Sequence, residues 1–328
     1  MTAAQRVTDG AGAWEEARTC GACGQPRWSP AGEVCGKRYA RCLGCGVVRL
    51  YDRVAADRLH LLYAGYYPGA DPSPEELHRL LANPTFAHRR RRLEAAVPES
   101  RRRILEIGCG DGNFLAYLRA HGWTVHGSEY DAETAALVRR RHGVDVAVGE
   151  VADAPPPGAP FPAVAAYHVL EHVYRPVEWL AAARGMLEPG GVLHLQVPNH
   201  ASLTRRLTGP AWASLMFPQH VYFYSPRTLS ALLRRAGFAP LRVTTWDPWH
   251  GPGTVAASTV NQARRAATDR LPWTDALGGA GQDATAGAPP ARRPRLGRRM
   301  LDALSVPLAR AEALAGAGAV VDVVARVE

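Results

Sequence analysis

LEIGCGDGNF, residues 105–114, places glycines at 108, 110 and 112 directly behind a run of apolar residues. An apolar run that ends in closely spaced glycines reads as a strand running into a loop where a ligand meets bare backbone. A dinucleotide fingerprint would need G-x-G-x-x-G, and position 113 is Asn. Glu106, two residues before the first glycine, argues further against phosphate, since a carboxylate there would repel a pyrophosphate and attract a cation.

The next apolar run, Val125-His126-Gly127-Ser128, ends on Glu129. An acid at the end of the second strand can take both hydroxyls of a ribose. A ligand with an adenosyl group, an ammonium and a sulfonium, and no phosphate, fits both acids. S-Adenosylmethionine is that ligand.

Outward from the glycine loop, apolar runs alternate with amphipathic stretches, the pattern of a parallel sheet with crossover helices. Strands are expected at 103–107, 123–128, 144–148, 162–167, 191–197 and 240–246, and helices at 112–121, 131–142, 176–187 and 226–236. A helix near 300–314 leads to a last strand, Ala319 to Arg326, placed to pair antiparallel with 240–246. The domains expected are a flexible tail (1–17), a cysteine-rich module (18–50), a helical cap (51–100), the α/β domain (101–262), a disordered Ala/Gly/Pro/Arg insertion (263–299) and a closing helix and strand (300–328).

Residues 103–246 resemble class I S-adenosylmethionine-dependent methyltransferases. The resemblance rests on E-x-G-x-G-x-G, Glu129, AAYHVLEHVYRP (165–176), LEPGGVLHLQVPN (187–199) and PQHVYFYSPRTLSALLRRAGF (218–238). One departure is Ala163, where the family often has a structural Asp. The resemblance implies a Rossmann-like seven-stranded α/β sheet. It places Glu106, Gly108, Gly110 and Gly112 at the methionine part of the cofactor and Glu129 at the ribose. Glu150, Val151 and Tyr130 would lie at the adenine, with Tyr167 and His168 beneath the sulfonium.

Two C-x-x-C knuckles, Cys20/Cys23 and Cys42/Cys45, are separated by 18 residues. That spacing fits a four-thiolate zinc ribbon, whose closed tetrahedral shell would make the zinc structural. Cys35 has no knuckle partner, and Cys109 reads as a small buried thiol. A ribbon ahead of a methyltransferase domain is similar to certain deoxysugar C-methyltransferases.

The formal net charge is +9, yet residues 104–262 carry twelve basic and twelve acidic side chains. The surplus lies in flanking segments, so nucleic acid is not the expected partner. No apolar run approaches the ~18 residues of a membrane span, and the N-terminus has no secretory pattern. A cytoplasmic location is expected. Aromatic residues gather in 61–69, 204–225 and 246–253, as an apolar pocket for a small molecule would require. His220 and His172 are the candidate general bases, with His168 third. The expected activity is methyl transfer to an oxygen or carbon of a natural-product or sugar-like molecule. The alternatives are an RNA methyltransferase that grips its substrate with the ribbon, and a non-catalytic cofactor-binding scaffold.

Overall fold

The computed structural model describes residues 12–62, 73, 75, 78, 81–151, 156–268, 270–271 and 296–328. In chain order the strands are β1 (Trp14–Glu16), β2 (Trp28–Val34), β3 (Lys37–Cys42), β4 (Val48–Leu50), β5 (Asp52–Val54), β6 (Arg103–Ile107), β7 (Thr124–Glu129), β8 (Val146–Val148), β9 (Phe161–Tyr167), β10 (Leu187–Pro198), β11 (Tyr222–Phe223), β12 (Phe238–Thr244) and β13 (Val320–Val327). The α-helices are α1 (Pro84–Glu94), α2 (Asn113–Arg119), α3 (Ala132–His142), α4 (Pro176–Gly185), α5 (Leu203–Thr208), α6 (Pro226–Arg235), α7 (His250–Thr268) and α8 (Leu296–Leu314). The described residues fall into two compact units, one drawn from 67–197, 229–244 and 322–328, the other from 1–66, 198–228 and 245–321.

The first unit is organised by a seven-stranded sheet of order β12-β13-β10-β9-β6-β7-β8. Strands β10, β9, β6, β7 and β8 are parallel, and β12 and β13 are antiparallel to each other. The register sets Glu106 and His194 both opposite Ala165, so these side chains share one face of the sheet. On that face Phe86 and Leu93 of α1 and Phe114, Tyr117 and Leu118 of α2 pack on Ile104, Ala163, Ala165, Tyr167 and Val192. The Phe86 ring packs at a tilt against Phe114 and Tyr117, with ring centres 5.4 and 5.6 Å away. Leu115, Ala135, Val138, Val144 and Val146 form a second apolar cluster. Helix α3 starts at Asp131, whose carboxylate accepts from the Thr134 amide at 2.8 Å, and stops at left-handed Gly143.

In the second unit β11, β4, β3 and β2 form a four-stranded antiparallel sheet. Its apolar side holds Tyr39, Val48, Leu50, Trp212, Phe217 and Phe223.

Four expected segments change. The tail expected over 1–17 contains β1, which pairs with β5; Trp14 stacks on Phe217 at 5.7 Å, and Arg38 bridges Glu16 and Asp52. The segment expected as a helical cap opens with strand β5 and a 3-10 helix, Ala56–Leu62, before α1. Helix α7 runs to Thr268, into the stretch expected to be disordered, because Gln262 to Ala267 are mostly good helix formers and the Gly/Pro-rich composition begins only later. Helix α8 begins at Leu296, ahead of the expected start. Tyr63, Tyr66, Tyr67, the first residues of the tail and most of the insertion lie outside the described residues.

Candidate active site and thiolate cluster

Glu106 sits one residue before the end of β6 and is 4% exposed. Its Oε2 has no hydrogen-bond partner among the described residues. Burial pushes its carboxyl up to about 8, against the pull of Arg89, with Asp111 and Glu129 adding to the rise. A buried carboxylate with an unpaired oxygen is the group that a cationic ligand would complete. Beyond it the chain turns through Gly108, Gly110 and Gly112, all with positive φ. The Gly108 and Cys109 amides both donate to the Ser128 carbonyl, at 2.8 and 3.0 Å, which ties the loop to β7. A Cβ at Gly108 would lie 2.6 Å from Val169 Cγ2. At Gly112 it would lie 2.5 Å from Val138 Cγ1, so this glycine is required by the approach of α3.

The Glu129 carboxylate accepts from Gly110 N–H at 2.9 Å through one oxygen, and from the Tyr130 and Asp131 amides at 2.9 and 3.3 Å through the other. The acid and the glycine loop therefore hold each other in place. Tyr130 is 43% exposed, Glu150 lies at the surface edge, and Val151 is buried. His168, after β9, takes a left-handed φ of 58° and donates its amide to the Gln196 carbonyl at 2.8 Å. Its Nδ1 lies 3.4 Å from Glu171 Oε1, and His172 closes the same 3-10 turn.

Tyr167 is buried in the layer under α1. Its hydroxyl meets His194 Nδ1 at 2.9 Å, and the Arg89 guanidinium lies 3.8 Å from its ring centre. Behind it runs a polar seam that the sequence reading did not assemble. Asp322 Oδ2 accepts from Gln196 Nε2 at 2.6 Å and lies 3.2 Å from His194 Nε2. Arg89 Nε donates to Gln196 Oε1 at 2.7 Å, and His88 and Arg92 of the same helix each come within 3.5 Å of Asp322. These partners hold the Asp322 carboxyl far below the usual carboxylate range despite its burial. The signal available in the sequence was polar residues inside apolar strands: His194 and Gln196 in VLHLQVP, and a lone acid in VVDVVARV.

In the other unit the Sγ atoms of Cys20, Cys23, Cys42 and Cys45 all lie within 4.8 Å of one another. The closest recorded pairs are Cys23 with Cys42 at 3.4 Å and Cys20 with Cys45 at 3.8 Å. Each knuckle closes on a glycine in the left-handed region, where the Gly24 amide donates to Cys20 O at 2.7 Å and the Gly46 amide to Cys42 O at 2.9 Å. The Gly44 amide points at Cys42 Sγ, 3.4 Å away. Contact with Cys20 draws the Cys45 thiol down, the direction that favours a metal-binding thiolate. Four converging sulfurs with amide support fit a tetrahedral metal ion. Cys35 stands outside the cluster, against the apolar side of the sheet. His220 of the same unit is 2% exposed, and its Nδ1 lies 2.8 Å from the Ser214 carbonyl. A carbonyl only accepts, so Nδ1 carries the proton and, in the neutral ring, the lone pair is on Nε2.

The methyltransferase-domain family matches residues 73–243. The chain belongs to the S-adenosylmethionine-dependent methyltransferases. A ubiquinone biosynthesis O-methyltransferase of Xylella fastidiosa strain 9a5c is 31% identical over 233 residues, covering 64% of this chain and 91% of that protein. A ubiquinone biosynthesis O-methyltransferase of Xanthomonas campestris pv. campestris strain B100 is 29% identical over 172 residues, covering 48% of this chain and 72% of that one. Among solved structures, a SAM dependent methyltransferase from Archaeoglobus fulgidus aligns with a TM-score of 0.46 at 17% identity, covering 74% of this chain and 92% of that one. The family match contains the methyltransferase's glycine loop and both acids and leaves out its four clustered cysteines. No helix among the described residues is long and apolar enough to cross a membrane.

Proposed function

We propose that this methyltransferase acts on an oxygen or carbon of a small molecule, and that its four clustered cysteines hold a structural zinc ion. The observation that carries the cofactor assignment is the buried Glu106 carboxylate with its unpaired oxygen beside the glycine loop. Glu106 would take the ammonium of S-adenosylmethionine, the backbone of Gly108 and Gly110 its methionine part, and Glu129 its ribose. Tyr130, Glu150 and Val151 would bound the adenine, and His168 would lie near the sulfonium. When bound, the cofactor supplies an electrophilic methyl group. The protein's part is to hold the acceptor in line, exclude water and take up the acceptor's proton. His172 in the cofactor-binding unit and His220 in the other are the candidates for that proton. His220 is already in the basic tautomer at Nε2. The preference for oxygen is supported by the two ubiquinone O-methyltransferase relatives.

The zinc assignment is supported by the closeness of the four sulfurs and by their amide donors. With four thiolates and no open position, the ion would fold the module and take no part in methyl transfer.

A second reading, RNA as substrate, is favoured by one observation. Arg41, Arg205 and Arg206 have no acidic partner among the described residues, and burial, with Arg205 and Arg41 adding, pushes His200 down to about 3. The deciding experiment incubates the protein with methyl-labelled S-adenosylmethionine and separate small-molecule and RNA fractions of a cell extract. Label in the small-molecule fraction supports the first reading. Label in RNA, with binding that weakens steeply as salt rises, replaces it with the second.

A further inference from the structure

Arg49, in the middle of β4, is 1% exposed, yet no carboxylate pairs with it among the described residues. Its Nη1 donates to the Thr19 carbonyl at 2.9 Å, while Nε and Nη2 have no hydrogen-bond partner among the described residues. The guanidinium is packed between aromatic rings, 5.0 Å from the centre of Tyr222 and 5.5 Å from that of Trp28. Tyr222 stands directly opposite Arg49 across the β4–β11 ladder. Its hydroxyl accepts from the Gly21 amide at 3.1 Å, between the two cysteines of the first knuckle. The Arg49 hydrogen bond falls on Thr19, the residue before Cys20. Arg53, a neighbouring cation, is already taken by Glu15 at 2.6 Å.

A buried guanidinium without a counter-charge is strongly unfavourable, and ring faces and one carbonyl make up only part of the lost hydration. The anion that balances it must lie nearby. Four thiolates around a divalent ion carry two net negative charges, and the Thr19 carbonyl that Arg49 holds is one residue before Cys20, the first of those ligands. The buried cation has no paired carboxylate among the described residues, and the four-thiolate centre begins one residue beyond the carbonyl it holds, while the exposed Arg41 reaches only the Gly46 carbonyl on the far knuckle.

We propose that Arg49 is the resident counter-charge of the four-cysteine centre. It is a positioning residue that ligates nothing and sets how tightly the tetrathiolate holds its metal. The inference rests on the zinc reading above.

The test uses the full-length protein, purified with zinc, as wild type and as Arg49→Met, Arg49→Gln and Arg49→Lys. Zinc content is measured by atomic emission and affinity by competition with a chromophoric chelator. Loss of the charge should weaken zinc binding about ten- to a hundredfold in the Met and Gln variants, the usual effect of removing a group that supports metal ligands, with Lys within a few fold of wild type. In cobalt-substituted protein the thiolate-to-cobalt charge-transfer band should move to longer wavelength in Met and Gln and stay in place in Lys. Loss of packing alone would not produce that pattern. S-Adenosylmethionine binding serves as the control that the other unit remains folded. The proposal is overturned if Met and Gln keep wild-type affinity and spectrum, or if Lys loses as much as Met. Wild-type protein that holds no zinc would overturn the metal reading itself, a separate outcome read before any variant is compared.

Discussion

The Gly110 amide donates to Glu129 Oε2 at 2.9 Å, so the acid assigned to the ribose also anchors the glycine loop assigned to the methionine part. Removing the carboxylate should cost more than its own contacts with the ligand. Glu129→Ala is expected to weaken S-adenosylmethionine binding by at least tenfold in calorimetry, the scale of about 1.5–3 kcal/mol for charge-assisted hydrogen bonds. Glu129→Gln, which keeps one acceptor for the Gly110 amide, should lose less. Equal losses would separate the loop from the acid.

Glu106 makes cofactor binding depend on pH. In the ligand-free protein its carboxyl is held up at about 8, so at neutral pH it is mostly protonated. Pairing with an ammonium requires the carboxylate, so binding releases a proton. Affinity should therefore rise by about one log unit per pH unit between pH 5.5 and pH 6.5, where the ligand's ammonium stays charged, and level off as pH approaches 8. The linkage also acts on stability. A carboxyl whose folded pKa is raised binds more protons folded than unfolded, so its contribution falls as pH climbs from about 4.5 towards 8. Glu106→Gln should flatten both slopes, and proton release measured in buffers of different ionisation enthalpy should disappear.

Much of this architecture could be read from residues alone because its signals are local. The apolar run before Glu106 and the two knuckles each declare themselves within a few positions, and the valine-rich end of the chain pairs antiparallel with the strand expected at 240–246. What escaped depends on tertiary partners. Trp14 to Glu16 is too short to show alternation and becomes a strand only because Asp52 to Val54 pairs with it. Gly112 looks like its neighbours in the loop, yet its requirement comes from Val138, far along the chain. The seam around Asp322 joins residues from helix α1, strand β10 and strand β13, and no single window contains it.

Asp322 should be a stability hub. Its carboxylate is buried among Gln196, His194, His88 and Arg92, and truncating one member of such a buried set costs about 3–5 kcal/mol. Asp322→Ala is expected to lower the melting temperature by roughly ten degrees or more, at about 2–4 °C per kcal/mol. The sign with pH follows from its depressed folded pKa. The stabilisation is fully present above the unfolded value near 4 and fades as pH falls below it. The difference between wild type and variant, followed by calorimetry from pH 7 to pH 3, should shrink at the acid end.

Gly112→Ala separates packing from ligand contact. Its φ of +73° disfavours any side chain, and the added Cβ would meet Val138 Cγ1 at 2.5 Å. A loss of about 1–3 kcal/mol in chemical denaturation is expected. Cofactor affinity of the folded protein should change much less than in Glu129→Ala. A large affinity loss without destabilisation would return Gly112 to the ligand.

The thiolate cluster predicts a discrete chemical count. With metal in place, Cys20, Cys23, Cys42 and Cys45 are shielded by coordination, and Cys109 is shielded by burial against Gly127. Cys35, half-buried and outside the cluster, is the thiol expected to react first with a disulfide reagent in native protein. A strong chelator should expose the four clustered thiols together, because losing the ion opens all four corners of a tetrahedral site at once. Cys42→Ser should give the same reactivity without chelator, since removing one corner opens the shell. If the four thiols react one at a time, or are already reactive in zinc-replete protein, the sulfurs converge for some purpose other than closing around a metal.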